Sequence, residues 1–266
     1  MSGDFLSGMV QEVQRELERG FYDSMPPGEA PVPVPSLRRR LLWHPRPRLV
    51  LELKHASPGY RRDPLPSVSA SRFLEIAGRP QTVGLSVIPQ PHAFGGSLEE
   101  FAQVARSTSL PVIFKDFVVD ARQVHCARRL GAAAVLLLAR LEHVKALRPS
   151  LQGLVNEVHR AGMEALVEVH EPPDVPLALQ SGPDVLGVNA RDLSTLELSR
   201  ERAQETLRAA RDQGVPLLGM SGIAGPQDLR AYEAAGAWGA LVGTSFILAP
   251  DPRAFLEALA APPGGD

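Results

Sequence analysis

From Arg48 onward the chain repeats one pattern: a short apolar run, a polar residue, a loop, then an amphipathic stretch. The runs are Leu49–Lys54, Thr82–Ile88, Pro111–Lys115, Ala134–Leu138, Ala165–Val169, Val185–Asn189, Pro216–Met220 and Ala240–Gly243. Apolar runs this short read as buried strands. Helical patterns lie between them, among them Leu98–Thr108, Ala121–Leu130, Leu151–Ala161, Arg200–Gln213 and Gln227–Ala235. Eight strands alternating with helices over roughly 200 residues match a (β/α)8 TIM barrel in count and size. A doubly wound open sheet would more often carry a glycine-rich dinucleotide loop after its first strand. Here that loop reads His55-Ala-Ser-Pro-Gly59. Ahead of the repeat, Phe5 to Gly20 forms one amphipathic pattern, with Phe5, Met9, Val10, Val13 and Leu17 on one side. Asp23 to Pro35 is a proline-rich linker. The expected organisation is therefore an N-terminal helical extension and linker over 1–35, then the barrel over 36–266. Two parts are open to that helix, a lid over the barrel or a plug of its core, and the pattern does not choose between them.

Composition narrows the function classes. The chain has 266 residues, 44% hydrophobic and 22% charged, enough for a substantial core. A formal net charge of −2 gives no overall bias toward nucleic acid or an anionic membrane. Arg38-Arg39-Arg40 reads as a solvated face, whereas Arg61-Arg62, near a strand end, is placed to attract an anion. The lone cysteine, Cys126, lies in a helical pattern as a packing residue and allows no intramolecular disulfide, so a reducing compartment is expected. The seven histidines show no ligand spacing, and no metal is expected. No apolar run is long enough to span a membrane, and the N-terminus lacks the apolar core of a signal peptide. A cytoplasmic protein is expected.

In such a barrel the C-terminal strand ends hold the active site, which turns scattered polar residues into a map. Glu52 and Lys54 are two apart on the first strand and point the same way, into the mouth. Lys115 closes the third strand. A lysine there is desolvated unless it meets an anion, so its pKa is open to tuning toward a proton donor near neutral pH. Glu168 is an acid inside the apolar fifth strand, Asn189 ends the sixth, and Arg191 follows two residues on. Any one of these alone is readily a solvated strand end. It is their fall at the same end of separate strands that points to catalysis. After strands seven and eight stand Met220-Ser-Gly-Ile223 and Val242-Gly-Thr-Ser245. Loops at these positions commonly hold a phosphate, with glycines admitting close backbone approach and a short helix start presenting free N–H groups. Gly222, Gly243 and Thr244 are the expected phosphate ligands, with Thr244 and Ser245 as candidate caps of that helix.

With these residues assembled, the chain resembles the indole-3-glycerol phosphate synthase family. The carrying segments are Leu51-Glu-Leu-Lys-His-Ala-Ser-Pro58, Phe94-Gly-Gly-Ser-Leu98, Phe114-Lys-Asp-Phe-Val118, Gly162-Met-Glu-Ala-Leu-Val-Glu-Val169, Gly187-Val-Asn-Ala-Arg-Asp-Leu193 and Ser221-Gly-Ile223. The resemblance implies a lyase of tryptophan biosynthesis that closes, decarboxylates and dehydrates 1-(2-carboxyphenylamino)-1-deoxyribulose 5-phosphate, with neither metal nor redox cofactor. It implies Lys115 as general acid on the ketone oxygen and Glu168 as the acid supporting ring closure or proton removal. Glu52 and Lys54 become a second acid/base pair. Ser57, Asn189, Arg191 and Ser221 would bind the substrate's carboxylate and hydroxyls, the arginine fork suiting a planar anion. Phe94 and Phe117 would wall the anthranilate ring. The expected partner is a small phosphorylated molecule, with no nucleic acid and no membrane, for a monomer or weak homodimer.

The chain departs from the family pattern at four places. Met220 stands where the family usually has glutamate, Pro89-Gln90 where it has threonine and an acid, Gly59 where it has serine, and Phe114 where it has a basic residue. These departures leave open a diverged paralogue with a modified substrate, Met220 and Gln90 a non-catalytic barrel that binds a phosphorylated ligand, and the barrel itself another sugar-phosphate isomerase or lyase.

Overall fold

The computed structural model describes residues 4–23, 35–58 and 65–261. Gly59, Arg61, Arg62 and all but the ends of the proline-rich linker lie outside the described residues. Eight parallel strands close into a barrel in sequence order: β1 Leu49–Leu53, β2 Thr82–Val87, β3 Val112–Phe114, β4 Ala134–Leu138, β5 Glu164–Val169, β6 Val185–Asn189, β7 Leu217–Met220 and β8 Gly239–Val242. β8 pairs back onto β1, Leu51 opposite Val242, which completes the ring. The strands are buried almost throughout, because side chains alternate between the barrel interior and the surrounding helices. Strand ends differ from expectation by a residue or two. β1 stops at Leu53, β3 at Phe114 and β8 at Val242, which leaves Lys54, Lys115 and Gly243 just beyond the strands. The Lys115 N–H still donates to the Val87 carbonyl at 3.1 Å, so the backbone there stays in line with the ladder.

Helix starts follow local chemistry. Ser36, Ser69, Ser97, Ser150 and Ser199 each accept from a backbone N–H in the first turn. Asp120 and Gln123 form a reciprocal capping box. Gln90 is fully buried and caps the helix Pro91–Phe94, its Oε1 accepting from the Ala93 N–H at 2.8 Å. The helix Leu37–Trp43 closes the bottom of the barrel: Leu37 and Leu41 are buried against Gly84 and Gly239, while Arg38 and Arg39 face solvent as expected. The N-terminal helix Phe5–Glu18 buries Leu6, Met9, Val10, Val13 and Leu17 in the same core as the barrel. Cys126 is buried in the helix Ala121–Leu130, where desolvation pushes its thiol up to about 11.

Candidate active site

The mouth is a single cavity bordered by Phe5, Glu52, Lys54, Ser57, Phe94, Lys115, Phe117, Glu168, Asn189, Arg191, Ser221, Gly222, Gly243 and Thr244, with other side chains. Every residue singled out from the sequence as catalytic, substrate-binding or phosphate-binding thus borders one space. Convergence of distant polymer segments is a consequence of barrel closure, since each strand delivers its C-terminal end to the same rim.

At its centre lies an ion triad. Glu52 is 3% exposed, and both its oxygens are engaged: Oε1 lies 2.7 Å from Lys54 Nζ and Oε2 lies 3.1 Å from Lys115 Nζ. Burial alone would push this carboxyl up. The Lys115 ammonium, then that of Lys54, overcome it and hold Glu52 at about 2. Lys54 is pushed down, by desolvation and with Lys115 and Arg191 opposing its charge, although Glu52 pulls the other way. Lys115 departs from expectation. Desolvation lowers it, but Glu52 and then Glu168 outweigh that, and its pKa is raised rather than tuned toward neutrality. Lys115 is therefore held as an ammonium. Glu52 thus bridges both cations, each of its oxygens engaged by one of them.

Glu168 is 1% exposed on β5. Its Oε1 accepts from Asn189 Nδ2 at 2.9 Å and lies 3.2 Å from His170 Nε2. Burial pushes its pKa up; the His170 contact, Lys115 and Asn189 bring it below the usual carboxylate value. Asn189 thus orients Glu168, while its Oδ1 accepts from the Arg191 N–H at 3.0 Å. Arg191 is half-buried, desolvation lowers its pKa, and among the described residues it has no acidic partner. Its Nη1 donates to the Leu196 carbonyl at 2.8 Å, which steers the guanidinium along the rim.

The turns after β7 and β8 complete the wall. Ser221 and Gly222 both take left-handed φ values, 63° and 74°, an uncommon choice for the serine. Tyr232 Oη donates to the Ser221 carbonyl at 3.1 Å and Arg200 Nε to the Gly222 carbonyl at 2.6 Å, which fixes the turn. Gly243, not Thr244 or Ser245, occupies the N-cap of the helix Thr244–Leu248, and no side chain caps it. A Cβ on Gly243 would lie 2.5 Å from Glu52 Oε1. That glycine is therefore needed as much for the ion triad as for any ligand. Ser57 Oγ lies 3.3 Å from Thr244 Oγ1, so Ser57 stands on the β8 side of the mouth rather than beside Arg191.

Phe94 and Phe117 face each other with centroids 6.3 Å apart, and Phe5 meets Phe117 edge-on at 6.2 Å. The N-terminal helix therefore both plugs the core and supplies a wall of the mouth. Of the departures, Gln90 and Phe114 leave the mouth untouched: one caps a helix, and the other packs edge-on against Phe101 at 5.2 Å. Met220 does border the mouth, 1% exposed, with its sulfur against the backbone of Gly187. Sequence reasoning missed Phe5 and Arg200 as bordering residues and His170 behind Glu168. The sequence marks none of them, since Arg200 opens an ordinary amphipathic helix and His170 follows a strand end. A grouping of metal-ligand type, Glu12, Glu16 and His92 with donor atoms within 4.8 Å, arises away from this cavity, from residues remote in sequence.

The sequence profile of the indole-3-glycerol phosphate synthase family matches residues 11–259. The chain is 40% identical to an indole-3-glycerol phosphate synthase of Parafrankia sp. over 234 residues, covering 86% of this chain and 83% of that one. It is 37% identical to indole-3-glycerol phosphate synthase 2 of Streptomyces coelicolor over 267 residues, covering 97% and 99%. Among solved structures, a 3-hexulose-6-phosphate synthase aligns with TM-score 0.59 at 16% identity, over 80% of this chain and 98% of that one, and shows the shared barrel alone. The chain belongs to the indole-3-glycerol phosphate synthase family.

Proposed function

We propose that this chain is an indole-3-glycerol phosphate synthase, a carboxy-lyase of tryptophan biosynthesis acting on 1-(2-carboxyphenylamino)-1-deoxyribulose 5-phosphate. Family membership supports the reaction. The observation that carries the residue assignment is the lysine–glutamate–lysine triad facing Glu168 across one rim. Lys115, kept cationic, gives a proton to the ketone oxygen as the ring carbon attacks the ketone carbon. Loss of CO2 restores aromaticity in the benzene ring. The new hydroxyl then leaves as water, protonated by one of the two lysines, while Glu168 accepts the proton lost from carbon. Glu52 keeps the lysines charged and spaced. Arg191 takes the anthranilate carboxylate as a fork before that group departs as CO2. Phe5, Phe94 and Phe117 enclose the ring. The N–H groups of Gly222, Gly243 and Thr244 hold the phosphate, with Ser57 and Ser221 alongside.

The test is fluorescence of indole-3-glycerol phosphate on adding the substrate to purified protein. Product should appear at a Lys115-dependent rate. A folded protein that binds the substrate, shown by a raised melting temperature, yet gives no product would overturn the assignment in favour of a non-catalytic barrel. Met220 favours one refinement, a substrate whose ring or hydroxyl region meets an apolar wall. Turnover of ring-substituted analogues in the same assay checks it.

A further inference from the structure

One buried titratable side chain beside the mouth takes no part in these steps. His170 follows β5, two residues after Glu168, so alternation puts both side chains on the same side. Each is about 1% exposed, and Nε2 of His170 lies 3.2 Å from Oε1 of Glu168. The contact is off the line of an ideal hydrogen bond, and neither ring nitrogen has a partner of hydrogen-bond geometry. A buried imidazole in that state calls for a reason. The ring does not border the cavity. It stands behind Glu168, which does.

The charged groups around the pair come from three elements. Lys115 faces Glu168 from the end of β3, and Asp192 faces His170 from the loop after β6. Asp174, in the turn Pro172–Asp174, accepts from the His170 backbone N–H with Oδ2 at 3.3 Å. Its other oxygen lies 3.2 Å from Nε2 of His143. The two oxygens of Glu168 are treated unequally. Oε1 accepts from Asn189 Nδ2 and lies 3.2 Å from His170 Nε2, and no hydrogen bond or ion pair among the described residues engages Oε2. A carboxylate gripped by one oxygen from behind presents the other to the substrate.

We propose that His170 is a positioning residue for Glu168, its ring holding one oxygen so that the other reaches the mouth as a charged proton acceptor. This rests on the proposed function for its kinetic readout. Without the ring, Glu168 keeps its burial and loses the contact that does most to lower its pKa, so it protonates at higher pH.

The experiment compares kcat and KM against pH for wild type, His170→Phe and His170→Gln. In His170→Phe, kcat is expected to fall on the order of tenfold or more, with KM within about twofold and the acid limb of the kcat profile moved to higher pH. His170→Gln restores a donor without charge, so it recovers part of kcat at high pH while its acid limb stays displaced. A His170→Phe profile superimposed on wild type overturns the proposal. If that variant does not fold, an unmoved acid limb in His170→Gln overturns it instead. If wild type gives no product, the proposed function falls separately. The infrared band of protonated Glu168, assigned by its loss in Glu168→Gln, then decides whether His170→Gln raises the pH at which Glu168 ionises.

Discussion

Two carboxylates of this barrel are buried to the same extent, about 3% exposed, and meet opposite fates. Glu52 sits between Lys54 and Lys115 and is held ionised at about 2. Asp116, one residue beyond Lys115, is pushed up to about 7, first by burial and further by the nearby Glu16. Its neighbours are neutral donors: Tyr22 Oη donates to Oδ2 and the Phe117 N–H to Oδ1, both at 2.8 Å. Burial sets the cost of a charge, and the partners decide whether it is met. The lysine-flanked site is charged and faces the mouth. The tyrosine-flanked site ties the N-terminal segment to the barrel, with Tyr22 also 3.3 Å from Glu16 and His92 reaching both Glu12 and Glu16.

The sharpest way to break this contrast is to remove a cation. Lys115→Ala should lower kcat by about 10²–10⁴-fold in the fluorescence assay, the usual worth of a positioned general acid, and leave Glu52 with Lys54 alone. Gly243→Ala tests the triad's spacing without touching a charge. Its methyl group would meet Glu52 Oε1, and displacing that carboxylate should cost roughly 10²-fold in kcat, read from the same assay. Binding of inorganic phosphate should change less, because the clash is with Glu52. A loss confined to phosphate affinity would count against that role for the glycine.

Asp116→Asn probes the other member of the pair through stability. A folded-state pKa near 7, above the unfolded carboxylate at about 4, means that the folded protein holds a proton the unfolded chain releases. The penalty is absent below about pH 4, grows as pH rises to 7, and is constant above. The asparagine removes it. The melting temperature of the variant relative to wild type should therefore rise from pH 4 to 7 by on the order of a few degrees, then level off. A difference independent of pH would show Asp116 ionised in the native protein. The smallest effect is expected at the link between the two regions. Phe5→Ala removes a ring from the mouth but leaves the apolar helix face in place, so KM should rise about threefold to tenfold with kcat nearly unchanged.

The barrel was legible because eight apolar runs at regular spacing leave few alternatives, and the mouth followed from strand polarity. Lys115, Glu168, Glu52, Lys54, Asn189 and Arg191 are charged or polar at strand ends, so their positions could be read in one dimension. Their protonation could not. Lys115 reads as a desolvated lysine until Glu52, 63 positions earlier in the chain, is seen 3.1 Å away. Phe5 and His170 stayed hidden for a similar reason: an aromatic on an amphipathic helix and a histidine after a strand have many ordinary uses.

The sequence by itself determined the barrel, the rim, the family and the identities of the charged side chains, because periodicity and motif order are local properties of the chain. Only the tertiary structure decided that Glu52 bridges two lysines, that Gly243 makes room for it, that Asp116 is pushed up to about 7 and that the N-terminal helix walls the mouth. Those are matters of charge and contact between segments far apart in the chain, and electrostatic energy in a low-dielectric interior depends on distances that no one-dimensional pattern contains.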